Sequence, residues 1–389
     1  MSQIQTSKQE NQRNFLVYRS NGQQEVLDFS YIPQLKLDLN DWLSKEDQKV
    51  LRKEIKNKRE NLKISLILPT CSSKAWIRSS ISHLNEQISE ALQFMPEWKI
   101  ELVLIVNGFK QEETLNEILD VQESMQNSPW KLTVIYLQGA SSKVNAMNIG
   151  AYYSINNEAQ VLGFMDDDVR FTEGAFRKTV TYLVNNNDVF LTGAVNWPIK
   201  GPSVEKGMFA KFEYKWEARP KTTPKGKNQY LLASTYPYIP EYIVNDDNYI
   251  LSYFSMPDQE EDVFERIKLV PDLKVYFKLV GKISNFFKRM ERIYMGREQT
   301  VDIFGMLKSK AIKQRTARKS SFSFKELFND LDLYQKIKMA MVVLYISFCF
   351  FKTRLKVRST IFVRKTLKKY PYSSKWNASI TTKPIEEQQ

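Results

Sequence analysis

A chain of 389 residues, 42% of them hydrophobic, has material for a real core and for one large domain with appendages, or for two domains. The net charge is 57 − 44 = +13, and much of the excess sits between Lys336 and Lys369, where there are ten Lys or Arg and no acid; such a cluster calls for an anionic partner, whether a membrane face, a nucleic acid or an acidic substrate. One histidine, His83, excludes a His-rich metal site and argues against a Ser-His-Asp triad, and two distant cysteines, Cys71 and Cys349, offer no disulfide framework, which fits a reducing compartment.

Residues 1–14 are polar, lack the apolar run of a signal peptide, and are expected to be disordered. Residues 15–39 hold short apolar stretches broken by Pro33, a small strand-like prelude, and 45–61 read as a charged, solvated helix. From Lys63 the pattern alternates. Strands are predicted at 64–68, 101–106, 132–137, 161–165 and 189–195. Helices are predicted at 74–94, 112–125, 143–154 and 173–184. In the first helix the apolar positions Ile77, Ile81, Leu84, Ile88, Ala91 and Leu92 keep a helical period. Repeated βαβ units imply a mostly parallel, Rossmann-like sheet with helices on both faces.

The fourth strand runs into Asp166, Asp167 and Asp168. Ligands of such sheets sit beyond the carboxyl ends of the strands. Three adjacent carboxylates there are costly without a cation, and Mg²⁺ or Mn²⁺ suits carboxylate oxygen with phosphate as co-ligand. On extended backbone Asp166 and Asp168 point one way and Asp167 the other. The same spacing also suits an acidic turn capping a helix that starts near Thr172.

Beyond Trp197 the pattern is irregular. Residues 203–216 are amphipathic, with Met208, Phe209, Phe212 and Trp216 on one side; 221–228 form a basic loop; 230–239 and 242–254 are rich in aromatic and β-branched residues. Asp246 and Asp247 interrupt the second of these, and acids among apolar residues are uncommon unless paired or functional. A strand is predicted within 263–277, a basic helix at 282–295, a basic linker at 309–320 and another helix at 324–334. The thirteen uncharged residues 339–351 stand between Lys336, Lys338, Lys352 and Arg354.

Taken in order, these stretches resemble a family 2 glycosyltransferase of GT-A fold over roughly residues 63–296. ISLILPT (64–70) is similar to the opening strand whose Pro-Thr edge meets the nucleotide. ELVLIVNG (101–108) resembles the second strand, with Asn107 where the family carries Asp. KVNAMNIG (143–150) resembles K-x-x-A-L-N-x-G. Asp166–Asp168 matches D-x-D, Asp246 and Asp247 resemble the acceptor motif Glu-Asp, and RMERIYMG (289–296) resembles Q-x-x-R-W-x-x-G.

The resemblance implies a metal-dependent, inverting glycosyltransferase acting in polysaccharide or glycolipid assembly. Asp166 and Asp168 would hold Mg²⁺ or Mn²⁺, and Pro69, Thr70, Asn107, Lys143, Asp166 and Arg292 would bind a nucleotide sugar, a UDP-sugar first among them. Asp247 would be the base, with Asp246 as the alternative. Asn148 is expected to hold a loop rather than touch donor. Ile293 in place of the motif's Trp favours single transfers over a cellulose-type processive enzyme. Lys143 also fits a solvated helix start, and 282–295 also fits a basic surface helix. A nucleotidyltransferase is the rival enzyme, though the loop after the first strand, TCSSKAW, lacks its glycines; a non-catalytic membrane scaffold is the rival without chemistry.

The expected domains are an N-terminal extension (1–60), the GT-A domain (61–300) and a basic, membrane-associating helical region (301–389). A thirteen-residue helix spans about 20 Å at ~1.5 Å per residue, short of the roughly 30 Å of a hydrocarbon core. Residues 339–351 therefore suit an interfacial or re-entrant helix, or a core helix. The expected place is the cytoplasmic, inner face of a membrane, with a saccharide or lipid-linked acceptor and no nucleic acid.

Overall fold

A computed structural model describes residues 14–18, 24–28, 61–70, 76–107, 112–125, 127–137, 142–202, 204, 207–219, 227–240, 243–254, 266–304 and 324–367. The expectations for 1–13, 29–60 and 309–320, and for most of the 221–228 loop, lie outside these residues.

The strands are β1 (Asn14–Tyr18), β2 (Gln24–Asp28), β3 (Lys63–Thr70), β4 (Lys99–Asn107), β5 (Lys131–Leu137), β6 (Val161–Met165), β7 (Val169–Phe171), β8 (Leu191–Pro198), β9 (Asn228–Leu232) and β10 (Ile267–Phe277). They form a ten-stranded sheet in the order β2-β1-β5-β4-β3-β6-β9-β8-β10-β7. The centre, β5-β4-β3-β6, is parallel, with Leu66 opposite Leu102 and Gly163. The β1–β2 hairpin extends one edge by pairing antiparallel to β5. On the other side β9 runs antiparallel to both β6 and β8, so β8 lies one strand away from the parallel centre.

The helices are α1 (Ile77–Phe94), α2 (Glu112–Ser124), α3 (Lys143–Asn156), α4 (Ala175–Asn185), α5 (Met208–Glu217), α6 (Asp246–Phe254), α7 (Ile283–Phe304), α8 (Phe324–Phe328) and α9 (Leu333–Thr366). Strand alternation decides which helix covers which face. Ile64, Leu66 and Leu68 of β3 pack with Ile81, Ile118 and Phe176 of α1, α2 and α4. Ile67, one residue out of phase, packs with Met147 and Tyr249 of α3 and α6. The mostly parallel sheet with helices on both faces is therefore the observed fold.

α3 can approach β3 and β4 closely because residue 150 is glycine; a Cβ there would meet Ile67 at 2.6 Å and Ile105 at 2.8 Å. A third cluster lies away from the sheet, where Phe212 of α5, Phe286 of α7, and Met339 and Ile346 of α9 pack together. Residues 339–351 are one part of α9, which is 34 residues long. Among the described residues no helix is long and apolar enough to cross a membrane.

Candidate active site

The acidic run forms the turn between β6 and β7, at the carboxyl end of the parallel strands. Asp167 accepts a hydrogen bond from Thr70 Oγ1 at 2.6 Å, and its carbonyl accepts one from Ser80 Oγ, also at 2.6 Å. Asp166 and Asp168 turn elsewhere and share one cation: Lys227 Nζ lies 3.4 Å from Asp166 Oδ2 and 3.5 Å from Asp168 Oδ1. Asp167 thus faces away from its two neighbours, although the three stand in a turn rather than on the extended backbone from which that division was expected.

β7 after the turn is braced by the single histidine. His83 Nε2 accepts from the Phe171 amide at 2.8 Å, and the rings stack with centroids 5.8 Å apart. Burial, and then the nearby Arg170, push the His83 pKa below its ordinary value, which favours the neutral ring this bond needs.

Lys143 opens α3, behind Ser142 as N-cap, whose side chain accepts from the Asn145 amide. Its ammonium donates to Asp166 Oδ1 at 2.8 Å and to Asp246 Oδ2 at 3.0 Å. One side chain therefore joins the strand-end acids to the acids of α6. Burial disfavours the ammonium, but Asp166, Asp246 and Asp247 outweigh it and hold the pKa above lysine's ordinary value. Burial likewise opposes an Asp166 carboxylate, yet Lys143 first, then Lys227 and Arg292, hold its pKa well below the carboxylate range. Lys227 is raised in the same way, burial being outweighed by Asp168 and Asp166.

Asp246 and Asp247 occupy the first turn of α6, where negative charge complements the helix dipole. Asn245 caps this helix, accepting from the Asn248 amide at 3.0 Å. α7 lies directly against the cap. A Cβ at Gly296 would overlap Asn245 Cβ and lie 3.1 Å from the Asn245 amide nitrogen. The Val244 amide donates to Gln299 of α7 at 2.9 Å. The glycine of RMERIYMG thus lets α7 fix the position of the acids. Gly296→Ala is expected to cost about 1–3 kcal/mol by overpacking and to lower activity about tenfold or more through misplacement. Gly201→Ala, with open space around it, is the control; thermal melts and turnover of both variants check this.

Arg292 is exposed at the mouth of the site, close enough for Asp166 to feel its charge. Arg289 turns away to Glu217 at 2.6 Å and Glu213 at 3.7 Å. Pro69 is buried at the end of β3, opposite Ile105. Asn107 is buried at the end of β4, and its amide nitrogen donates to the Ser142 carbonyl at 3.2 Å. A carboxylate could not make that bond, so asparagine here braces the start of the Lys143 helix. Asn148 holds the 236–239 loop: it accepts from Tyr236 Oη at 2.8 Å and from the Ile239 amide at 3.0 Å, and donates to the Ile239 carbonyl at 2.7 Å.

The structure therefore brings Asp166, Asp168, Lys143 and Asp246 into one cluster with Lys227, with Asp247 and Arg292 near it, Thr70 attached through Asp167, and Asn107 through Ser142. Lys227 was not among the sequence candidates; its only signal was membership of a basic loop. Among the described residues no three His, Cys, Asp or Glu side chains form a metal-holding group. The donor set is two carboxylates converging on one cation, and that suits Mg²⁺ or Mn²⁺, which take one or two carboxylates together with substrate phosphate.

Residues 65–239 match the family model described as Glycosyl transferase family 2. No curated protein matches the chain. Among solved structures it is similar to GalNAc-T7 with UDP, GalNAc and Mn²⁺, at 14% identity and a TM-score of 0.35, over 69% of this chain and 56% of that one. It is also similar to a mycobacterial protein, at 11% identity and a TM-score of 0.31, over 68% of this chain and 74% of that one. The chain thus spans little more than half the length of the first of these.

Proposed function

We propose that this chain, a glycosyltransferase by the family 2 domain at residues 65–239, moves a sugar from a nucleotide-diphosphate donor to an acceptor hydroxyl with inversion at the anomeric carbon. A UDP-sugar is the first candidate donor. The acceptor is a saccharide or a lipid-linked molecule, and the setting is polysaccharide or glycolipid assembly at the inner face of a membrane. The catalytic domain is 61–300, its sheet edge extended by the β1–β2 hairpin of the N-terminal region 1–60, and the basic C-terminal region 301–389 holds α8 and α9. The observation that carries the proposal is the Lys143 ammonium, 2.8 Å from Asp166 and 3.0 Å from Asp246. It ties a donor-side acid to an acceptor-side acid across one cleft.

Asp166 and Asp168 would hold Mg²⁺ or Mn²⁺, which supplies neutralisation of charge growing on the departing diphosphate. Lys143 offers a point charge for phosphate, and Arg292 a second one at the mouth. Thr70 keeps Asp167 turned aside, so that its two neighbours face the cleft. Pro69 and Asn107 stand at strand ends, where the nucleotide would bind. The acceptor O–H gives its proton to a carboxylate while oxygen attacks the anomeric carbon. The bond from that carbon to the diphosphate oxygen breaks, and the electron pair leaves with the nucleotide. Asp247, the second acid of the pair that opens α6, is the base, with Asp246 as the alternative. A base so placed contributes roughly 10²–10⁴-fold.

A panel of nucleotide sugars, assayed for released nucleotide with and without Mg²⁺ or Mn²⁺, tests this. One donor class should be hydrolysed slowly and only with metal. If no donor is cleaved and calorimetry detects no metal-dependent UDP binding, the chain is a scaffold that keeps the fold.

A further inference from the structure

α9 carries two apolar faces. One packs on the body of the protein: Met339, Ile346, Val357 and Ile361 are buried against α5 and α7. The other points outward. Ile337, Met341, Leu344, Phe348, Phe351 and Leu355 are 55–71% exposed, and their spacing of four and three keeps them on one side of the helix. Tyr334 and Phe362 prolong the row at 65% and 71% exposure. At ~1.5 Å per residue the helix is about 51 Å long, and this stripe runs along most of it. An exposed apolar band of that extent marks an interaction surface.

The charges beside the band name its partner. Lys338, Lys352 and Lys356 flank one side; Lys336, Arg354 and Lys365 flank the other. Lys356 and Lys365 also pair with Glu291 and Asp302 of α7. Arg354 further shares with Tyr294, Arg297, Glu298 and Val357 a cavity of about 300 Å³. There Arg297 and Arg354 set two cations beside one acid, Glu298, and the Arg297 pKa is lowered first by burial and then by repulsion from Arg354. Phosphate oxygens would relieve that repulsion. A second copy of α9 would not: with no acid between Lys336 and Lys369, two such helices bring cation against cation. Crossing a bilayer is also barred, since the opposite face is committed to α5 and α7.

We infer that α9 lies flat in an anionic phospholipid surface, its outward stripe in the acyl boundary and its flanking Lys and Arg at the phosphates, with the Arg297–Arg354 cavity taking one headgroup. This deepens the membrane part of the function proposed above and involves no catalytic step. In such a pose the full length of the helix, rather than residues 339–351 alone, forms the contact.

Flotation of the full chain with phosphatidylcholine vesicles, with and without phosphatidylglycerol, tests this at low and high salt. The wild type should float with anionic vesicles and be released by salt. The double variant Leu344→Glu, Phe348→Glu, at exposed positions, should keep its thermal melt and lose binding by about 100-fold. Arg354→Gln should weaken it about fivefold. Wild type that stays below anionic vesicles, or a double variant that floats as well as wild type, overturns the inference. So does a concentration-dependent dimer in sedimentation that the double variant abolishes while vesicle binding is absent. UDP binding measured on the same preparations separates a failure of docking from a failure of the transferase assignment.

Discussion

Asp247→Asn is expected to lower transfer by roughly 10²–10⁴-fold, the usual worth of a positioned general base, while donor affinity changes by less than about twofold. The substitution keeps shape and removes only the ability to take a proton. Asp246→Asn should behave differently. Asp246 accepts from Lys143 at 3.0 Å, so its loss loosens the ammonium that faces Asp166, and donor affinity should fall together with turnover. Steady-state kinetics alongside calorimetry with UDP and Mn²⁺ distinguish the two. Full transfer by Asp247→Asn with none by Asp246→Asn would move the base one residue back.

Lys143→Met is expected to be the most damaging single change in the cleft. It removes the cation from between Asp166 and Asp246 and leaves three acids, with Asp247, facing one another beside Lys227. The side chains of Lys143, Asp166 and Asp246 keep 13–24% exposure, so solvent screens part of the penalty. A loss of about 1.5–3 kcal/mol is expected, in the range of a hydrogen bond to a charged group. The pH dependence has a definite sign. Asp166 is held below its ordinary pKa, so its ion pair stabilises the fold above the unfolded carboxylate range and is lost as pH falls through the folded value. The gap between wild type and Lys143→Met should therefore be widest near neutrality and shrink below about pH 4. Denaturant midpoints across that range measure it; a gap that widens in acid would show that Asp166 is not the group Lys143 stabilises. Donor binding should fall with stability, because the same ammonium would meet the diphosphate.

Much of this site could be read before any coordinates. The acid triplet, the lysine that opens α3 and the acid pair of α6 each stand at the start or end of a periodic segment, where local pattern is strongest. Their meeting could not be read, since Lys143 and Asp246 are 103 residues apart and only chain closure joins them. Lys227 had no pattern of its own, being one cation in a basic loop. Asn107 looked like a departure from the nucleotide-binding acid; its partner, the Ser142 carbonyl, is a backbone atom that carries no sequence signal.

By itself the sequence determined the alternation of strands and helices and the order of the polar segments between them, because burial of one face imposes a period of 2 or 3.6 on neighbouring residues. The tertiary structure decided the rest. β9 enters the sheet reversed between β6 and β8, since a five-residue buried strand has no sense of direction in its composition. Gly296 matters because Asn245 lies against it. The apolar residues of α9 divide into a packed face and an outward one because only the placement of α5 and α7 fixes which half of a doubly apolar helix is already covered.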